Sequence, residues 1–132
     1  MRTIICAMLL LSVFSFSSCT KDVQSSAQSY VVAGTIRSSD WLRTTDGAGY
    51  YTSLSVPDVT NGVLNYGGVA VYLSFDGGYT YEALPEVVGG VAYGTYYSLG
   101  TVNIDLYAAN GTGTVTNPPG GTVVVKVLIT QP

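Results

Sequence analysis

Histidine is absent from the 132-residue chain, cysteine occurs twice, and only five residues are basic. Each scarcity removes a class of function. Without His, the commonest general base and metal ligand is missing. Ser–His–Asp and Cys–His sites therefore cannot be assembled, and zinc or iron centres lose their usual ligands. Five basic residues against eight acidic ones argue against nucleic acid, which demands clustered Lys and Arg. The Asp-x-Asp-x-Asp spacing of a calcium loop does not occur. Charged residues make up 10% of the chain, against about 25% in an ordinary globular protein, so much of the surface must be Thr, Ser, Asn, Gly and Tyr. No metal, cofactor or catalytic residue is expected, and the chain is not expected to be an enzyme.

A long apolar run is also lacking. The stretch Ile4 to Phe16 (IICAMLLLSVFSF) is 13 residues long, short of the roughly 20 that a membrane helix needs. With Arg2 before it, this stretch reads as the apolar region of a signal peptide. Ser17-Ser18-Cys19 follows and is similar to the lipobox of bacterial lipoproteins, in which the chain is cut before the cysteine and the cysteine is acylated. Residues 1–18 are then the signal peptide and Cys19 is the lipidation site. Cys6 leaves with the apolar run, so Cys19 has no disulfide partner. Two or more acyl chains hold a protein stably on a bilayer, which makes a membrane the first expected partner. Thr20, Lys21 and Asp22 place no Asp at the second mature position, the pattern of sorting to the outer membrane, at its periplasmic face or the cell surface. Residues 19–29 are otherwise short and polar and read as a flexible tether.

From residue 30 to 132 the chain reads as one all-β domain. Short β-branched and aromatic runs lie near 30–36, 50–56, 69–75, 79–84, 96–107 and 122–130, with a shorter piece at 62–65 or 87–93. No helical stripe is found. Val69, Val71, Leu73 and Phe75 alternate with Ala70, Tyr72 and Ser74. Val102, Ile104 and Leu106 alternate with polar residues, and Val123, Val125, Val127 and Ile129 form a third apolar row. A period of two with one apolar face is the mark of a half-buried antiparallel sheet. Asp76-Gly77-Gly78 signals a hairpin, while Asn110 to Gly113 and Asn117 to Gly121 mark loops. The expected fold is a single antiparallel β-sandwich of about six to eight strands, with a small barrel as the alternative. The apolar last strand either closes the core or lies at an edge, where it could pair with another chain.

Several stretches resemble small Bacteroidota lipoproteins. These are the lipobox-like start, Trp41, Gly49-Tyr50-Tyr51, Val56-Pro57-Asp58-Val59-Thr60, Val63-Leu64, Gly68 to Leu73, Tyr79 with Leu84-Pro85, and Val125 to Ile129. The resemblance implies a lipid-anchored, β-rich envelope protein. Its motifs are apolar and turn residues, so it brings no chemistry.

Two features remain as candidate sites. Eight carboxylates follow Cys19, and a hydrolase would need two of them roughly 5–10 Å apart in a cleft. Glu82 and Glu86 are near in sequence, but Pro85 and a strand end oppose their convergence. Asp40 and Asp46 flank Trp41. All 11 Tyr and the one Trp lie after Cys19, and Tyr combines a flat apolar face with a polar tip. Trp41, Tyr50 and Tyr51 form the densest group, a candidate binding surface. Tyr79, Tyr81, Tyr96 and Tyr97 form a second. The reading is a non-enzymatic, lipid-anchored interaction or structural module with a protein or glycan ligand. The alternative is a carbohydrate-binding accessory lipoprotein that stacks sugar on Trp41, Tyr50 and Tyr51.

Overall fold

The computed structural model describes residues 28–132. The stretch expected to be a signal peptide, Cys19 and most of the expected tether lie outside the described residues. Nine strands form two antiparallel sheets, as the alternating apolar rows require. The strands are β1 (Ser29–Ile36), β2 (Leu42–Arg43), β3 (Tyr50–Ser55), β4 (Gly68–Ser74), β5 (Glu82–Ala83), β6 (Glu86–Val88), β7 (Val91–Ser98), β8 (Thr101–Ala108) and β9 (Val123–Thr130). A four-stranded sheet runs β1-β9-β4-β5 and a five-stranded sheet runs β2-β3-β8-β7-β6. The two sheets stay separate, so the fold is the sandwich and not the closed barrel.

Period-two patterning accounts for the core. Val123, Val125, Val127 and Ile129 of β9 point inward and are buried, as are Val102, Ile104 and Leu106 of β8. Each such side chain contributes about 1.5–3 kcal/mol when withdrawn from water. β9 is paired on both sides, with β1 from Ser29–Thr130 to Ile36–Val123 and with β4 from Gly68–Thr130 to Ser74–Val124. The last strand therefore closes the core, and the edges of that sheet are β1 and the two-residue β5.

Three local departures have clear causes. Residues 61–66 form a short helix, α1 (Asn61–Tyr66), instead of a strand. Thr60 caps it by accepting from the Val63 amide, and Val63 plugs the core with no exposure. Six residues are too few for a helical stripe to show. Next, the run at 96–107 is two strands, because Gly100 turns the chain with φ 70° and Leu99-Gly100 becomes a hairpin tip. Finally, β4 ends at Ser74, so Phe75 falls just past the strand and only partly covered, edge-on to the buried Tyr93 of the opposite sheet, with ring centroids 5.4 Å apart. Ser74 is fully buried in the opposite sense. It accepts from the Gly78 amide and donates to Asp76, so the β4–β5 loop draws it in.

That loop sets up a pH dependence. The Asp76 carboxylate accepts from the Thr80 hydroxyl and amide, the Ser74 hydroxyl and the Tyr79 amide. These donors, Thr80 foremost, hold its carboxyl well below the usual carboxylate range. A depressed folded-state pKa stabilises above the unfolded value of about 3.9, and the gain is lost as pH falls toward the folded value. Wild type should therefore melt higher than Asp76→Asn at neutral pH, and the gap should close as pH drops below about 4. Thermal melts of the two proteins at stepped pH check this; a pH-independent gap would contradict it.

Candidate functional site

Trp41, Tyr50 and Tyr51 are brought near one another, but they do not share a surface. Trp41 is 5% exposed, follows a single 3-10 turn (Ser38–Asp40), and packs into the core with its indole N–H unpartnered. Tyr50 is 9% exposed. Its hydroxyl donates to the Thr116 carbonyl and accepts from Arg43, whose guanidinium lies 4.6 Å from the ring centre. Both aromatics are thus consumed by packing, because position 50 falls on the inward phase of β3. Tyr51 takes the outward phase and keeps part of its ring in solvent. A stacking surface made of all three does not exist.

The second aromatic group divides as well. Tyr79 and Tyr81 belong to the β4–β5 connection, where the Lys126 ammonium sits 3.7 Å from the Tyr81 ring centre. Tyr96 and Tyr97 are on β7 in the other sheet and point to opposite faces, as neighbours on a strand must.

The outer face of the five-stranded sheet assembles a different group. Register sets Tyr51 of β3 opposite Asp105 of β8, and Asp105 opposite Gly94 of β7. Tyr107 and Tyr96 stand two residues from this row on β8 and β7, on the same face. Tyr51, Tyr96, Tyr107, Asp105, Thr44 and Thr45 line one open cavity of about 240 Å³. Tyr96 is 56% exposed and Tyr107 37%.

One wall of this cavity is the β2–β3 hairpin. Thr44 accepts from the Gly49 amide and donates to Asp46, which also accepts from the Ala48 amide. Those bonds hold the Asp46 carboxyl below its ordinary range, the Thr44 hydroxyl being the main cause. Gly47 closes the turn with φ 71°. Asp46 is thereby a loop brace. Asp40 accepts from the Arg37 amide at 2.7 Å and serves the 3-10 turn in the same way.

Glu82 and Glu86 do converge, contrary to the expectation from Pro85. The chain passes from one sheet to the other between them. Burial and the neighbouring Glu82 push the Glu86 carboxyl up, while Glu82 Oε2 is buried without a partner. Neither residue lines the cavity on the tyrosine face or the groove between the sheets.

That groove lies where β1 and β3 run unpaired past each other. One part, of about 240 Å³, is lined by Val32, Thr35, Leu54, Val125 and Val127 among others. It continues past Thr35, Ser53 and Leu54 into a part of about 340 Å³ that ends at Asp40 and Leu42. Among the described residues, no group of three or more His, Cys, Asp or Glu is placed to hold a metal ion. None of their helices is long and apolar enough to cross a membrane. No protein-family model, curated protein or solved structure matches the chain.

Proposed function

We propose that the chain is a non-enzymatic interaction module, held on the outer membrane by lipid on Cys19, that presents the tyrosine face of its five-stranded sheet to a ligand. The observation that carries this reading is the exposure of Tyr96 and Tyr107, with Tyr51, around a carboxylate in a chain otherwise poor in charge. Contiguous exposed aromatic surface is costly to leave in water and marks binding surfaces.

The placement of the chain's ends supports the same reading. Ser29, where the tether enters the fold, pairs with Thr130. Tyr30 beside it reaches the Asp58 carbonyl, so this end of the sandwich carries the β3–α1 connection. Tyr51, Asp105 and Tyr107 lie toward the other end, beside the β2–β3 hairpin. The tether therefore enters at the end of the sandwich opposite the β2–β3 hairpin, which leaves Tyr51, Asp105 and Tyr107 clear of the attachment point, while Tyr96, opposite Asn103, lies nearer to it.

Retention of the full chain, purified in detergent, on isolated cell-envelope material tests the proposal. Wild type should be retained, and the triple change Tyr51→Ala, Tyr96→Ala, Tyr107→Ala should lower retention by about tenfold or more, the scale of a lost 1.4 kcal/mol. Tyr79→Ala, which removes a still more exposed ring from the β4–β5 connection, should have no effect. Equal retention of wild type and the triple variant would sink the reading.

A further inference from the structure

We infer that the tyrosine face is a binding site for a neutral pyranose sugar, with Tyr51, Tyr96 and Tyr107 as stacking surfaces and Asp105 as the hydroxyl acceptor. This rests on the reading of the chain as an interaction module and gives its ligand a chemical class.

Asp105 is unlike the other carboxylates nearby. Asp46 and Asp40 are committed to backbone and hydroxyl donors of their own loops. No described residue donates a hydrogen bond to the Asp105 carboxylate, although it is half-buried at the centre of the sheet face. Its lone pairs are open to water or to a ligand's hydroxyls.

Two glycines shape the face around it. A Cβ at Gly94 would collide with the Asp105 carboxylate, so the absent side chain is what gives that carboxylate its place on the sheet. A Cβ at Gly49 would meet the Leu106 carbonyl and lie 2.9 Å from Cδ1 of Tyr107. The Tyr107 ring therefore leans across bare backbone. Glycine weakens a strand interior and often marks close approach of another group. Here the two glycines let a carboxylate and an aromatic ring settle low on the sheet, leaving a shallow depression and not a ridge.

The chemistry of the depression matches a sugar ring. A pyranose has a face of C–H groups and a rim of hydroxyls. Its C–H face is weakly positive and apolar, which suits the negative face of a tyrosine ring. Its rim can donate two hydroxyls to one carboxylate in charge-assisted bonds. Thr45 adds a hydroxyl at the cavity wall, whereas that of Thr44 is engaged by Asp46 and Gly49. The cavity of about 240 Å³ falls just below the ~300–1,000 Å³ of sites for drug-sized ligands, room for one ring of a longer, surface-lying chain. An ammonium group is the other ligand that tyrosines and a carboxylate attract. A cage for it needs rings turned toward one point. These three rings stand on three different strand positions along an open face, an arrangement for an extended ligand.

The test is calorimetric titration of the full chain in detergent with neutral gluco-, xylo- and manno-oligosaccharides, and separately with tetramethylammonium. Saturable binding to at least one oligosaccharide is expected. Tyr96→Ala and Asp105→Asn should each weaken it about tenfold or more without moving the melting temperature, and Tyr79→Ala should leave it unchanged. Binding that ignores both Tyr96→Ala and Asp105→Asn overturns the site. Binding to tetramethylammonium but to no oligosaccharide overturns the ligand class. If every oligosaccharide fails while envelope retention still depends on Tyr96, the sugar inference falls and the interaction module stands. If envelope retention is also indifferent to Tyr96, both fall.

Discussion

Ile104→Ala is expected to lower the melting temperature by about 10–25 °C. Ile104 sits at the middle of β8, between Thr52 of β3 and Thr95 of β7, and has no solvent exposure. Truncating a buried Ile to Ala removes its transfer free energy and leaves a cavity that neighbours fill only in part, a cost of about 2–5 kcal/mol. For a domain of about 100 residues each kcal/mol moves the midpoint by roughly 4–8 °C. The two factors together span about 8–40 °C, and the expectation takes the lower to middle part of that span. Leu42→Ala is the matched control: Leu42 is 55% exposed at the sheet edge, so its loss should be nearly silent. Differential scanning calorimetry separates the two. A fall of only a few degrees for Ile104→Ala would mean that the core repacks freely around the gap.

Cys19→Ser should move the protein from the membrane fraction to the soluble fraction. Each buried methylene contributes about 0.8 kcal/mol to membrane binding, and two acyl chains convert marginal, reversible binding into stable attachment. Nothing after residue 27 replaces that anchor by crossing the bilayer as a helix. The change should be close to all-or-none in phase partitioning, and labelling with an alkyne analogue of palmitate should vanish with it. Continued labelling of the Ser variant would place the lipid elsewhere. Continued membrane association without label would point to retention of the apolar stretch Ile4 to Phe16.

Much of the two sheets was legible because alternation survives in single strands. Val123 to Ile129 could be assigned an inward row without knowing its partners, and so could Val102 to Leu106. What could not be read were features decided between strands. Trp41, Tyr50 and Tyr51 looked like one aromatic group because they are close in sequence. Whether position 50 or 51 faces inward depends on the register with Leu106 and Asp105, more than 50 residues later. Tyr96 and Tyr97 posed the same problem and divide in the same way. The group that does assemble draws one tyrosine from each of β3, β7 and β8 and surrounds a carboxylate from β8. The legible hint was Asp105 standing in the polar row of an otherwise apolar strand, with Gly94 in the middle of its neighbour. Helix α1 is not legible in the sequence because its defining signal is one capping hydroxyl on Thr60, set in six residues that read equally well as turn.

The pairing of the first strand with the last has a mechanical consequence. β1 is an edge of its sheet and follows the expected tether in the chain, and it lies antiparallel to β9 over eight residue pairs. A ligand gripped at the far end and a lipid holding residue 19 would pull along the strand axis in opposite directions. That geometry loads all eight pairs together, as a lap joint is loaded, instead of peeling them one at a time. The domain would resist detachment most strongly along the direction in which a tethered, ligand-bound protein is stretched.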